Sequence, residues 1–421
     1  MILASTFLSH NGANKALVLA VARELGRRGI IAWVDVNEMG VGDDLDVALA
    51  EAVKRQATLT LFLSEEAIAS DWVMKELKIA LKHKSANIFP VYLGTPVDLI
   101  RKCDPLNPDW LTPDSRAAKI IGAKIDPLAE VNASAKTIAD AVAKSIYTRL
   151  DFAGSTEAII DLDQRGGGAR KGGSINIPSN AESLNAPTLV FRPSLEMRTN
   201  DETIFGDAWN EIRETMLTAL SHAFGTFRNT KEIYIYGHAQ LAFPFLLGKY
   251  FDRTTAAHLF CYNSRDKRTF DNQKQERFTP LAGGNENCES SHKDVKPLVS
   301  GDVHPVISLV FAKQPRLEDV LKYCAAQPDA PPVVWVTTSL YDNSDQVMDR
   351  IKDVVALLER LKRENKVETI FLYTDFPFHA LPLLAANLRY VVRNVVFMEY
   401  RKDLEGHSPK ASEFYVPLKM G

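Results

Sequence analysis

Apolar and polar positions over the first 150 residues follow two alternating periods. Short apolar runs stand at "MILASTFLS", "IIAWVDV", "ATLTLFLS" and "NIFPVYLG", each of strand length. Between them, residues 14–27, 42–56 and 70–84 repeat apolar positions at helical spacing. The second of these stretches, "GDDLDVALAEAVKRQ", opens with Asp43 and Asp44 placed to cap it. "AAKIIGAKI" predicts a fifth strand, and residues 134–150 predict a closing helix. Regular alternation of strand and helix implies an α/β fold with a parallel, doubly wound sheet. Ligand sites in such sheets lie at the carboxyl ends of the strands.

One position in the helix over 70–84 departs from its pattern. At about 100° per residue, Val73, Leu77, Ala80 and Leu81 make an apolar stripe, and Lys75, Lys78 and Lys82 gather opposite. Glu76 does not join the lysines; it projects between Trp72 and Ala80, on the side that faces the protein. A carboxylate there either bends back to a neighbouring lysine, caps a backbone group, or serves chemistry.

The pattern lapses over 154–187. "DQRGGGARKGGSINIPSN" is rich in Gly, Arg, Lys and Ser and carries no apolar period, as expected of a flexible linker or surface loop. A phosphate cradle is the sharper reading of its glycines, but the stretch lacks the GxxxxGK[ST] spacing and no strong strand leads into it. The expected division is therefore residues 1–150, a linker over 151–186, and a second domain over 187–421.

The second domain contains an internal repeat. "EIYIYGHAQLAFPFLLGKYF" with "AHLFCYN" matches "TIFLYTDFPFHALPLLAANL" with "NVVFMEY". A single offset of 137 residues pairs Ile233 with Ile370, Tyr236 with Tyr373, Leu246 with Leu383 and Phe260 with Phe397. Each copy reads strand, short polar turn, apolar helix, strand, which is a Rossmann-like βαβ unit made twice. "TLVFRPS" is expected to open the first copy, and "VISLVFA" and "VVWVTTSL" to add strands to the second. Two such copies side by side imply a pseudo-twofold groove where their strand ends meet.

Charge and cysteine usage narrow the possible functions. Fifty basic against 53 acidic side chains leave a net charge of −3, so the chain as a whole is not built to coat DNA. Cys103, Cys261, Cys288 and Cys324 have no metal-ligand spacing, so no structural zinc is expected, and no metal–carboxylate cluster of a nuclease is evident. Scattered thiols fit a reducing cytosol. No apolar run approaches the roughly 20 residues that span a bilayer, and the N-terminus lacks the basic region of a signal peptide, so a cytoplasmic protein without a membrane partner is expected.

The ordered series "TFLSHNGANKALVLAVARELGRRGIIAWVDVNEMGVGDDL" and "LFLSEEAIASDWVMKEL" resembles a TIR domain. Its markers are the FLSH strand end, the WVD strand, the Gly loop with Asp43 and Asp44, the LFLS strand and S-x-W-V-x-x-E-L. The resemblance implies a flavodoxin-like domain with a five-stranded parallel sheet. Some TIR domains are interaction modules only, and others cleave the nicotinamide–ribose bond of NAD⁺. In the catalytic kind a glutamate occupies the last position of S-x-W-V-x-x-E, here Glu76. A fixed carboxylate stabilises the positive charge that develops on the ribose as nicotinamide leaves. Ser9, His10, Asp35 and Trp72 then stand as substrate-binding candidates. His10 is alternatively a solvated loop histidine, Asp35 the start of a loop, and Trp72 core filling. Residues 36–46 match the loop that TIR domains use for self-association, where Gly40 and Gly42 permit movement.

The repeat resembles the SAVED domain, a fusion of two CARF-like Rossmann units that binds cyclic oligonucleotides. "IYIYGHAQLAFPFLLGKYF", "HLFCYN", "ISLVFA" and "IFLYTDFPFHALPLLAANL" carry that likeness. A TIR–SAVED fusion looks like an effector of CBASS anti-phage defence. The resemblance implies that a messenger, commonly cyclic tri-adenylate, drives head-to-tail assembly into an oligomer or filament and switches on NAD⁺ cleavage. NAD⁺ is then substrate, the cyclic oligonucleotide is activator, and no cofactor or metal is expected. The alternative is a non-enzymatic TIR scaffold assembled by the same messenger.

A cyclic oligonucleotide needs donors for its phosphates and flat faces for its bases. The turn "YGHAQ" offers Tyr236, Gly237, His238 and Gln240 at a helix N-terminus, which favours an anion. Its mate "YTDFPF" offers Tyr373, Thr374 and Phe378, while Asp375 would repel phosphate, so the half-sites are not equivalent. Strand ends add Tyr262, Asn263 and Arg265, then Tyr400 and Arg401. "NSRDKRTFDNQKQER" carries Lys267, Arg268, Lys274 and Arg277 and reads alternatively as a solvated charged loop, as the tyrosines read alternatively as strand residues.

Overall fold

The computed structural model describes residues 2–34, 56–84, 88–103, 123–124, 131–163, 185–193, 202–225, 231–251, 257–263, 268–271, 284–327, 329–337, 344–388, 391–400 and 415–420. The chain divides into two compact units, Met1–Ser194 with Thr215–Arg228, and Leu195–Glu214 with Asn229–Gly421.

The N-terminal unit holds β1 (Ile2–Leu3), β2 (Ser5–Ser9), α1 (Lys15–Arg27), β3 (Ile31–Val34), β4 (Thr58–Leu63), α2 (Glu65–Ile68), α3 (Asp71–Lys84) and β5 (Ile88–Tyr92). It continues with α4 (Pro96–Cys103), β6 (Ala123–Lys124), α5 (Val131–Arg149), β7 (Glu157–Asp163) and β8 (Pro187–Phe191). Strands β3-β2-β4-β5-β6 form one sheet, and every neighbouring pair is parallel. The first of the five lies between the second and third, the flavodoxin-like order, so the winding reverses between β2 and β4. Every residue of β2, β4 and β5 is buried, as a parallel sheet covered on both faces requires. The helix expected over 42–56 and most of the fifth strand expected over 117–125 lie outside the described residues.

The run "MILASTFLS" is two strands rather than one. At Ala4 the chain passes between sheets: its amide donates to the Thr188 carbonyl at 2.8 Å, and its carbonyl accepts from the Ile31 amide at 2.9 Å. β1 pairs with β8, and β8 with β7, all parallel. The linker expected over 151–186 thus contains a buried strand, and "TLVFRPS", expected to open the second domain, falls in the N-terminal unit. The Gly- and Arg-rich stretch beside it conceals the short apolar run of β7. β8 docks on the turn after α1, where the Val190 amide donates to Gly29 and the Arg192 amide to Gly26, both at 2.8 Å. Gly29 has φ +78°, and a Cβ there would stand 3.0 Å from the Leu189 side chain, so both conformation and contact call for glycine.

Helix α6 (Glu202–Phe224) contributes residues to both units. The C-terminal unit then holds β9 (Lys231–His238), α7 (Ala242–Tyr250), β10 (Ala257–Asn263), β11 (Arg268–Asp271), β12 (Val306–Phe311), α8 (Gln314–Ala325) and β13 (Val333–Val336). After these come α9 (Ser344–Asn365), β14 (Thr369–Thr374), α10 (Leu381–Leu388), β15 (Asn394–Tyr400) and β16 (Tyr415–Lys419). In both copies of the repeat a parallel pair, β9 with β10 and β14 with β15, is bordered by an antiparallel strand, β11 or β16. β12 and β13 extend the second copy in the order β13-β12-β14-β15-β16. Helices α7 and α10 pack on each other.

The repeat holds, with one correction. Ile233 and Ile370, Tyr236 and Tyr373, and Leu246 and Leu383 are buried counterparts. In the following strand, however, Ile233 pairs with Leu259 and Ile370 with Val395, so the offset there is 136. Phe260 is accordingly the mate of Val396, not of Phe397. A slip of one residue turns a strand side chain to the opposite face. Phe260 is half-buried and stacks on Tyr234, whereas Phe397 is buried against Phe245.

Candidate functional site

The two units carry separate candidate sites. In the N-terminal unit, Ser9 ends β2 opposite Leu61 of β4, at the carboxyl edge where the winding reverses. Helix α3 begins directly after Ser70, whose hydroxyl accepts from the Val73 amide at 3.4 Å, so the Ser of S-x-W-V-x-x-E is the helix cap. From that start Val73, Leu77 and Ala80 enter the core, and Glu76 goes in with them at 0% exposure. The Ser9 hydroxyl donates to Glu76 Oε2 at 2.5 Å. Inward placement of the carboxylate, read from helical spacing, is therefore what the structure shows, and it is bound to a strand-end hydroxyl.

His10 is buried, with ring Nδ1 3.1 Å from the Leu8 carbonyl, so it folds back on its own strand and is not solvated. Trp72 is half-buried against the core cluster around Leu77 and Tyr92, with the Lys75 ammonium 5.9 Å from its ring centre. Asp35, Gly40 and Gly42 lie outside the described residues.

Three residues that the sequence pattern did not single out hold the edge of this site. Asn14 donates to the Ser64 hydroxyl at 3.1 Å, and Asn11 donates to the Glu66 carbonyl at 3.3 Å. Ser64 also accepts from the Ala67 amide and so caps α2. These bonds tie the turn after β2 to the turn after β4, across the reversal point. Their signal was present as Ser and Asn directly after two apolar runs, the residue types that bond turns and helix starts.

In the C-terminal unit the repeat turns depart from expectation. Tyr236 and Tyr373 are 3% and 2% exposed, so their rings belong to the core. Burial, with neighbouring Cys324, drives the Tyr373 phenol well above its ordinary range. Gly237 adopts φ +126°. Gln240 and Phe378 are half-buried, and the Thr374 hydroxyl accepts from the Phe376 amide at 2.9 Å, closing its own turn. Asp375, expected to repel phosphate, accepts from the Lys313 amide at the start of α8. His238 and Tyr262 are strand residues whose side chains lie outside the described ones, and Arg265, Lys267, Lys274, Arg277 and Arg401 lie outside the described residues entirely.

The N-terminus of α7, expected to receive a phosphate, is occupied from within the chain. Glu399, on β15, accepts from the Ala242 amide through Oε2 at 3.1 Å. Burial raises its carboxyl to about 7, against the pull of the Ala242 amide, Arg316 and the Leu241 amide. The sequence signal was a lone carboxylate inside "NVVFMEY". Among the described residues, no group of three or more His, Cys, Asp or Glu side chains is placed to hold a metal ion, and no helix is long and apolar enough to cross a membrane.

Residues 6–117 match the family model of the TIR domain. Comparison with curated proteins found no match. Among solved structures, the chain is similar to the Cap4 SAVED/CARF-domain receptor of Acinetobacter baumannii, solved with the cyclic trinucleotide 2′3′3′-cAAA. The identity is 12%, the coverage 91% of this chain and 86% of that one, and the TM-score 0.42. The corresponding Moraxella osloensis receptor is 11% identical, with 91% and 87% covered and a TM-score of 0.39. With its family match, its parallel sheet and its strand order, the segment from residue 6 to residue 117 is a TIR domain.

Proposed function

We propose that the chain is an NAD⁺ glycohydrolase switched on by a cyclic oligonucleotide. The observation that carries the enzymatic part is Glu76, brought to the carboxyl edge of a TIR sheet and held by the Ser9 hydroxyl. The bond between ribose C1′ and the nicotinamide nitrogen breaks, and its electron pair leaves with nicotinamide, which departs neutral. Positive charge is left on the ribose. The Glu76 carboxylate stabilises that charge electrostatically. Water then adds to C1′ and loses a proton, giving ADP-ribose.

The C-terminal unit is the sensor in this account. Support comes from its two strand–helix–strand copies and from the SAVED resemblance of their sequences. Cyclic tri-adenylate is the messenger which that resemblance implies. Ligand gating requires the messenger to bind the assembled, active state better than the inactive one. Assembly of TIR domains, depletion of NAD⁺ and a role in anti-phage defence follow from the same account.

The test is to incubate the full chain with NAD⁺ and a panel of cyclic di- and trinucleotides, and to follow nicotinamide. Release is expected with one ring and not without it. Glu76→Gln should lower the rate at least ~100-fold while messenger binding persists. Messenger binding without nicotinamide release by the wild-type chain would leave a messenger-assembled scaffold as the function, and release by Glu76→Gln at the wild-type rate would take Glu76 out of the catalysis.

A further inference from the structure

The Ser9–Glu76 contact has a part in the proposed reaction, one that presupposes the NAD⁺-cleaving function. Ser9 was expected to touch substrate. Its hydroxyl has a single proton, and that proton is directed at Glu76 Oε2. Both residues are 0% exposed.

Both ends of the bond are rigidly anchored. Ser9 is the last residue of β2, in register with Leu61 of the central strand β4. Deeper in the same pair, the Thr6 and Thr60 hydroxyls meet at 2.8 Å, which fixes the two strands against each other. On the other side, Val73, Leu77 and Ala80 seat α3 in the core around Glu76.

Such a bond has a chemical consequence. Removing a carboxylate from water favours its neutral form, and a donor to the charged form opposes that tendency. A neutral carboxylic acid cannot stabilise an oxocarbenium ion through charge. We propose that Ser9 is a positioning residue for Glu76, holding the carboxylate ionised and in one orientation, and is not a substrate contact.

The experiment uses the full chain with NAD⁺ and cyclic tri-adenylate, measuring kcat and KM from pH 5 to 9. Ser9→Ala removes the donor, and Ser9→Cys keeps nearly the same volume with a weak donor. In Ser9→Ala, kcat is expected to fall roughly 10–100-fold with KM within about twofold, and the acid limb of kcat/KM to move up by about one pH unit. Ser9→Cys should lie between Ala and wild type in both measures. Thermal unfolding of each variant separates these effects from loss of fold, and Ser9→Cys supplies the answer should Ser9→Ala fail to fold. A loss confined to KM, or an acid limb unchanged in both variants, overturns the positioning role while the NAD⁺-cleaving function stands. A wild-type chain that releases no nicotinamide with any cyclic nucleotide ends both.

Discussion

Two carboxylates, Glu76 and Glu399, show how differently one residue type behaves once buried. Glu76 meets a hydroxyl from the neighbouring strand, whereas Glu399 reaches the amides that open a helix. The carboxyl of Glu399 is raised from 4.5 to about 7, chiefly by burial. Folding therefore favours its protonated form. Its stabilising contribution is complete below pH 4.5 and is lost as pH rises through 7. Glu399→Gln keeps an oxygen for the Ala242 amide and cannot ionise. Its stability by urea unfolding should match wild type near pH 4.5 and exceed it at pH 8 by up to about 3 kcal/mol. Parallel pH curves for the two proteins would refute this account. Of the two carboxylates, Glu76 was legible because helical spacing marked it as inward. Glu399 was not, because a strand position says nothing about the helix it reaches.

Pairs of elements carry constraints that their separate sequences hide. Helices α7 and α10 approach so closely at Gly248 that a Cβ there would stand 2.1 Å from the Pro382 carbonyl oxygen and 2.6 Å from its Cα. Backbone cannot yield as a side-chain tip can, so the helices would have to part. Gly248→Ala should cost about 2–3 kcal/mol, read as a lower thermal midpoint of the C-terminal unit. Gly12→Ala, with nothing within 4 Å of the added carbon, should leave the midpoint unchanged. Equal midpoints for both variants would contradict the close crossing. Between α1 and α5 a different device operates: buried Arg28 bonds Glu24 at 2.6 Å and Asp140 at 2.7 Å, and the Tyr147 hydroxyl donates to the Arg28 carbonyl. Burial of Arg28 opposes its charge, and Asp140 and Glu24 more than offset that. Glu24 and Arg28 stand one helical turn apart, and Asp140 and Tyr147 two turns apart, but the two pairs are more than 110 positions from each other in sequence.

Taken as a molecule, the chain joins a TIR domain to a doubled βαβ unit, and the two parts answer different probes. If the C-terminal unit is the sensor, cyclic tri-adenylate at 100 times its dissociation constant should stabilise that unit by about 2.7 kcal/mol. Scanning calorimetry should show the shift equally in wild type and in Glu76→Gln, because the variant alters chemistry and not sensing. Absence of a shift with every cyclic nucleotide tested would remove the sensor from the account. The division of the chain was itself only partly legible. Composition pointed to the glycine-rich stretch, while β7 and β8 joined the N-terminal unit through backbone bonds to Gly26 and Gly29.

Local order along the chain was enough for the α/β class, the run of parallel strands, the doubled unit and the inward Glu76. Those features depend on periods of two to four residues and on matched stretches, which any linear reading contains. The split at Ala4, the one-residue slip before β15, the core burial of Tyr236 and Tyr373, and the arrival of Glu399 at α7 came from folding alone. Each joins residues tens to hundreds of positions apart, and their meeting depends on which surfaces exclude water together, a property of the packed chain and not of any segment in it.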